Sequence, residues 1–260
     1  MIHKTPPAAI GFPEEGRRMV LFIPKKAIYT AALAVVLVTL AAVAPRPPQA
    51  ASAAAPVTPA ASQTTPVLDA GHGGEDGGAV SDSGVAESGI NLQITRRLYE
   101  ILRLLGHPSV MTRTGDDAVY DDTAVTLREK KASDLKNRTA LANGTPGALL
   151  ISIHQNCLPG HPGVRGAQVF YNAVEPSRQL AEVVQQALNG TVNESAKTAK
   201  PIGDGVYLMS HTTCPAILVE CGFLSNPEET VLLQQSSYQV KMAAVIAAAY
   251  CQYYTNEGTA

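Results

Sequence analysis

The sequence comprises 260 residues, of which 45% are hydrophobic and 16% charged, with four Cys and no Trp. This length allows one globular domain with an appendage, and the apolar content excludes a wholly disordered chain. The formal net charge of −2 provides no polycationic surface, so the composition disfavours a nucleic-acid partner. Beyond residue 53 the chain is acidic, with 20 acidic and 14 basic residues.

An uninterrupted apolar run spans residues 27–44 and directly follows Lys25 and Lys26. This pattern predicts an export signal or a membrane anchor over residues 1–45, with Met19 as an alternative start. The two lysines would stay inside, so the rest of the chain is expected outside the cytoplasmic membrane, either secreted or anchored. Residues 46–66 are rich in Ala and Pro and predict a linker, followed by a catalytic domain over residues 67–256.

The body alternates short apolar runs with stretches of helical periodicity, which is the pattern of an α/β fold. Strands are predicted at residues 67–69, 109–112, 149–154, 167–171, 206–209 and 216–220. Helices are predicted from about residue 90 to Gly106 and at 134–142, 177–188 and 237–254, the last with Val240, Ala244, Ala247 and Cys251 inward. Residues 115–131 predict a surface loop or lid. We therefore expect a single domain with an open, twisted, mixed sheet of about six strands flanked by helices.

The four cysteines are Cys157, Cys214, Cys221 and Cys251. They show no Cys-x-x-Cys spacing and no pattern of a small disulfide-linked scaffold. Small buried thiols are the favoured interpretation, and one disulfide stays open as an alternative.

Ionisable residues recur where predicted strands and helices meet. His72 follows the first strand, His154 and Glu220 each end a strand, and Glu87 lies near the start of the first helix. Strand carboxyl ends converge on one crevice in open α/β sheets, so these side chains should meet there. Two imidazoles and one carboxylate suit a zinc ion with an open fourth position, and the remaining carboxylate would be a base. The reaction this predicts is amide hydrolysis.

Each of these residues alone is a weak signal, because a His at a strand end is more often structural and a Glu at a helix start is more often a capping carboxylate. Their joint placement carries the prediction.

Four motifs, in this order along the chain, strengthen the prediction of a zinc-dependent amide hydrolase. Residues 67–74 (VLDAGHGG), Glu87, residues 152–156 (SIHQN) and residues 219–229 (VECGFLSNPEE) resemble the zinc-dependent N-acetylmuramoyl-L-alanine amidases. The resemblance implies that His72, Glu87 and His154 bind one Zn²⁺ per chain and that Glu220 is catalytic. It implies peptidoglycan as substrate, cut between N-acetylmuramic acid and L-alanine.

Residues 127–138, 166–171 and 199–202 are similar to the germination-specific branch of that family. This similarity implies processing of spore cortex towards muramic-δ-lactam, with an exported sporulation protein as a possible partner. Candidate substrate-binding residues are Asn156, Arg128, Arg138 and Lys200, although structural ion pairs explain the two arginines equally well. The alternatives are a vegetative autolysin with the same chemistry, a zinc exopeptidase and a non-catalytic wall-binding module.

Overall fold

A computed structural model describes residues 64–257, with side chains as far as Tyr254. The predicted export signal or anchor over residues 1–45, with its apolar run at 27–44, lies outside the described residues. So does the predicted linker except for its last three residues, of which Thr65 and Pro66 already belong to the first strand. Within the described part, no helix is both long and apolar enough to cross a membrane.

Six strands form one mixed sheet, as the alternating sequence pattern predicts. They are β1 (Thr65–Ala70), β2 (Val110–Met111), β3 (Ala148–Asn156), β4 (Gln168–Tyr171), β5 (Lys200–Pro201) and β6 (Ala216–Phe223). Their order across the sheet is β2-β1-β3-β6-β4-β5. Only the β4–β6 pairing is antiparallel, so the carboxyl ends of β1, β3 and β6 lie side by side at one edge.

Within residues 64–257, six helices flank this sheet. They are α1 (Glu87–Leu104), α2 (Leu127–Gly144), α3 (Ser177–Thr191), α4 (Tyr207–His211), α5 (Pro227–Leu233) and α6 (Ser236–Glu257). Asn226 caps α5 by accepting a hydrogen bond from the Glu229 backbone, and Pro227 occupies its first turn.

Side-chain alternation along the central strands divides the core into two layers. One face of the sheet carries Ile151, Ile153, Ile217 and Val219, and packs with buried residues of α1, α3 and α6. The other face carries Val67, Leu150 and Leu218, and packs with Ala142 of α2 and Leu208 of α4. His154 and Glu220 continue this second face, because each lies an even number of residues beyond Leu150 or Leu218.

Three sequence predictions are wrong in detail. Residues 207–209 form the start of α4, with Val206 as its N-cap, rather than a strand, and the sixth strand is the short edge strand Lys200–Pro201. The predicted loop at 115–131 ends five residues too late, because α2 begins at Leu127 behind a capping box of Thr126 and Glu129. In α6 the buried residues include Met242, Ala243 and Ile246, whereas Val240 and Ala244 are exposed.

All four cysteines are free thiols, so no disulfide joins them. Cys221 is fully buried in the layer beneath α6, on the opposite face from its neighbour Glu220.

Candidate metal centre

Three side chains from separate elements meet at the carboxyl edge of the sheet. His72 follows β1, Glu87 is the first residue of α1, and His154 lies near the end of β3. One ligand atom from each residue lies within 4.8 Å of the other two. The structure therefore brings together the three residues that the sequence assigns to a metal.

The Glu87 carboxylate is the centre of this cluster. His154 Nδ1 lies 2.9 Å from its Oε1, and His72 Nε2 lies 3.3 Å from its Oε2. Backbone N–H groups of Ala79 and Gln155 also donate to it. Burial alone would raise the pKa of Glu87, but the hydrogen bond and positive charge of His154 outweigh burial and hold the pKa at about 2. Burial lowers the pKa of His154, but Glu87 raises it above its ordinary value.

Asp76 fixes the orientation of His72. Its Oδ2 lies 3.0 Å from His72 Nδ1, so the imidazole donates there and turns Nε2 towards Glu87. The hydrogen bond from His72 lowers the pKa of Asp76 well below its ordinary value, against the opposing effect of burial. A carboxylate that accepts the second N–H of an imidazole is the usual support of a metal-binding His.

The donor set fits a zinc ion. Two imidazole nitrogens and one carboxylate oxygen are ligand types that Zn²⁺ prefers, and three protein ligands leave one position for water or substrate. The Asp76–His72 pair adds the expected support around that set.

Glu220 lies beside this cluster, paired in register with His154 across β3 and β6. Its Oε2 is buried and has no hydrogen-bond partner among the described residues. Burial raises the pKa of Glu220 to about 7, although the positive charge of His154 opposes that rise. A buried carboxylate without a partner is costly, and such groups concentrate at functional sites.

The backbone before His72 is closely packed and unusually bent. His72 has φ +62°, and it is the one non-glycine residue with positive φ in the described part of the chain. A Cβ atom at Gly71 would overlap the His154 ring, so only glycine lets the two imidazoles approach each other. Asn91 ties this backbone to the metal cluster, since its Nδ2 donates to both Gly71 O and Glu87 Oε1.

Arg138 is buried against the backbone of Ala70 and His72, and its side chain is 1% exposed. Its five N–H donors all have protein acceptors: the carboxylates of Asp69 and Asp134 and the backbone carbonyls of Ala70 and His72. A guanidinium has five N–H donors, so none remains for a substrate. This geometry corrects the prediction that Arg138 binds substrate. Its guanidinium instead stabilises the backbone that carries His72.

The other candidate substrate-binding residues lie apart from one another. Arg128 is exposed on α2, and Asn156 is half-buried at the end of β3, where its Oδ1 accepts from the Cys157 backbone. Lys200 is exposed on the edge strand β5, beyond β4 from the cluster.

The sequence pattern did not predict how four residues support the site: Asp76, Asn91, Arg113 and Gln155. Arg113 donates to the backbone of Ala70 and Gly71, and the Gln155 side chain donates to Asn91. The sequence spacing could have indicated two of these contacts, because Asp76 lies four residues after His72 and Asn91 lies one helical turn after Glu87.

Comparison with known proteins identifies relatives that are described as amidases. The family described as N-acetylmuramoyl-L-alanine amidase matches residues 67–252. The germination-specific N-acetylmuramoyl-L-alanine amidase of Bacillus subtilis is 35% identical over 191 residues, which cover 74% of this chain and 80% of that protein. The B. subtilis amidase LytC is 30% identical over 193 residues, covering 72% of this chain and 35% of that protein.

Among solved structures, the CwlD amidase of Clostridioides difficile in complex with the GerS lipoprotein matches with a TM-score of 0.70 and 35% identity. The match covers 74% of this chain and 98% of that one. An N-acetylmuramoyl-L-alanine amidase from Clostridium difficile 630 matches with a TM-score of 0.65 and 28% identity, covering 75% and 98%.

Proposed function

Because the chain belongs to the N-acetylmuramoyl-L-alanine amidase family, and is thus a peptidoglycan hydrolase, we propose that it is a zinc enzyme of the spore cortex. The bond cut is the amide between N-acetylmuramic acid and L-alanine. The observation that carries this proposal is the meeting of His72, Glu87 and His154 beside Glu220, whose buried Oε2 has no hydrogen-bond partner in the described part of the chain.

We assign His72, Glu87 and His154 as the residues that would hold one Zn²⁺ per chain. When bound, the ion polarises a carbonyl oxygen and lowers the pKa of water. The chain's own residues prepare the site: Asp76 directs Nε2 of His72 towards Glu87, and Asn91 fixes Glu87 against the Gly71 backbone.

Glu220 is the group that moves the proton. Its carboxylate takes a proton from the attacking water, whose oxygen bonds to the lactyl carbonyl carbon of muramic acid. The same carboxyl group then gives that proton to the alanine nitrogen as the C–N bond breaks, which leaves a carboxyl group and a free amine. A pKa of about 7 suits both steps, because the group can accept and release a proton near neutral pH.

The cortex substrate is supported by the 35% identity to the germination-specific amidase of B. subtilis. The 30% identity to LytC supports a vegetative autolysin as the second candidate. The relatives named above are described as amidases, which supports neither a zinc exopeptidase nor a non-catalytic wall-binding module. Incubating the purified protein with cortex and with vegetative sacculi, followed by mass analysis of the fragments, decides between the two substrates. Preferred release of peptide from cortex is expected, and equal release from both would favour an autolysin.

We further propose that residues 1–45 export or anchor the chain and that residues 46–66 link this segment to the catalytic domain. We also propose that an exported sporulation protein delivers the enzyme to the wall. The acidic body supports delivery, because it gives no long-range attraction to a substrate that itself carries carboxylates. The CwlD structure in complex with a lipoprotein is consistent with a partner. The catalytic domain alone is expected to act weakly on whole sacculi, and the same domain tethered to a membrane or mixed with such a partner is expected to act well. Efficient digestion by the free domain at low concentration would overturn this proposal.

A further inference from the structure

A groove leads away from the candidate metal centre along helix α2. It begins in a cavity of about 270 Å³ that reaches His72 and His154. It continues into a second cavity of about 260 Å³ that reaches Arg128 and Lys136. Three residues line both cavities: Lys131, Leu135 and Tyr207. We call this continuous feature the α2 groove.

The groove lies on the face of the sheet that also carries the reactive groups. His154 and Glu220 extend the layer that α2 and α4 cover. Along α2, Arg128, Lys131 and Leu135 are spaced by three and four residues, so they lie on one side of the helix. From α4, Tyr207 forms the opposite wall and stacks on His211 with ring centroids 3.8 Å apart. A substrate held at the metal centre can therefore extend directly between these two helices.

The outer cavity of the groove is lined by three basic side chains and no carboxylate, in contrast to the acidic body of the protein. The carboxylates of the inner cavity are already paired: Asp69 and Asp134 with Arg138, and Asp76 with His72. Among the described residues, neither Arg128 nor Lys136 forms an ion pair. Lys131 contacts Asp76 at 3.2 Å, but its side chain is still 57% exposed. The groove thus offers cations at its rim and aliphatic and aromatic surface at its floor.

We propose that the α2 groove binds the acidic stem peptide on the alanine side of the bond that is cut. Arg128 and Lys131 take the free carboxylates of the peptide, and Leu135 and Tyr207 pack against its aliphatic parts. The proposal rests on the amidase function proposed above and adds to it the part of the substrate that is recognised. Charge complementarity favours a peptide over the uncharged sugar chain as the occupant.

The test compares two synthetic muramoyl tripeptides that differ at one group. One carries a free glutamyl carboxylate, and in the other that group is a carboxamide. Both are hydrolysed by the wild-type chain and by Arg128→Gln and Lys131→Gln, with zinc supplied. Arg103→Gln and Lys241→Gln make the same charge changes at exposed positions on α1 and α6, away from the groove.

The wild-type chain is expected to prefer the free carboxylate, and each groove variant is expected to lose about three- to tenfold in kcat/KM for that substrate alone, mainly through KM. The control variants should keep the preference. If Lys131→Gln slows both substrates equally through kcat, it has disturbed His72 by way of Asp76. Equal slowing of both substrates by both groove variants would overturn the proposal. Equal cleavage of both substrates by the wild-type chain would overturn the groove and leave the amidase function standing. Cleavage of neither would overturn both.

Discussion

Nη2 of Arg138 donates to the backbone carbonyl of His72 at 2.7 Å, so a buried guanidinium is joined directly to a candidate zinc ligand. Nη1 of the same side chain donates to the carbonyl of Ala70 at 2.7 Å. Residues with positive φ outside glycine persist only where their surroundings hold them. These two hydrogen bonds fix the carbonyl groups of Ala70 and His72. They therefore stabilise the backbone between them, including the positive φ of His72.

The first prediction concerns the stability that Arg138 contributes. Arg138→Leu leaves Asp69 and Asp134 buried without their cation, so the free energy of unfolding should fall by about 3–5 kcal/mol. Arg128→Leu changes an exposed residue and should stay within about 0.5 kcal/mol of wild type. Urea denaturation measures both. Unchanged stability of Arg138→Leu together with a raised KM would instead restore a substrate-binding role.

The second prediction concerns acid stability. Burial alone would raise the pKa of Asp69, but Arg138, His154 and two hydroxyl donors lower it from 3.8 to about 2. Because the folded chain holds this proton less tightly than the unfolded chain, the stabilisation is fully present above about pH 4 and is lost as the pH falls through 2. One such group contributes about 2 kcal/mol.

Asp69→Asn should therefore make the fall in unfolding free energy between about pH 5 and pH 2 shallower by that amount. Its absolute stability will be lower at every pH, so only the pH dependence is compared, by urea titration. The exposed residue Asp122 provides the control substitution Asp122→Asn. If the unfolding free energy of Asp69→Asn depends on pH as strongly as that of wild type, the pKa of Asp69 is not lowered in the folded chain.

The positions of His154 and Glu220 could be predicted because the strand segments before them are continuous apolar runs. Residues 149–153 and 216–219 are buried throughout, so their ends, and the ionisable residues there, are well marked. Parallel strands then bring those ends to one edge without further information.

The support that Arg113 and Arg138 give to the site could not be predicted, because it depends on contacts that are remote in sequence. Arg138 meets Asp69 across 69 positions, and nothing near either residue marks the pairing. Helix α2 buries Asp134, Arg138 and Thr139 with a single alanine, so it lacks the apolar period that reveals a helix. The short apolar run at 206–209 is equally compatible with a strand or a helix turn, and packing against the second core layer decides for α4.

The third prediction uses the close approach of Gly71 to His154. A methyl group at residue 71 would overlap the imidazole ring, so Gly71→Ala should displace His154 and weaken zinc binding by about tenfold or more. Gly89→Ala provides the matched control, since a Cβ there meets open space within α1. Competition with a chromogenic chelator measures zinc affinity, and circular dichroism checks that both variants fold. Equal zinc affinity in the two variants would contradict the assignment of His154 as a ligand.

The last prediction separates the role of Glu220 from that of the three proposed ligands. Glu220→Gln keeps the shape of the side chain but removes the proton acceptor, so turnover should fall by about a hundredfold or more. Zinc content should remain at one ion per chain, because Glu220 lies outside the group formed by His72, Glu87 and His154. Glu228→Gln on α5 makes the same change at an exposed residue and should leave both quantities unaltered. Metal analysis and hydrolysis of a muramoyl peptide are measured on the same preparations. Release of zinc by Glu220→Gln would make Glu220 a ligand, and the residue that accepts the proton would then have to be another carboxylate at this edge of the sheet.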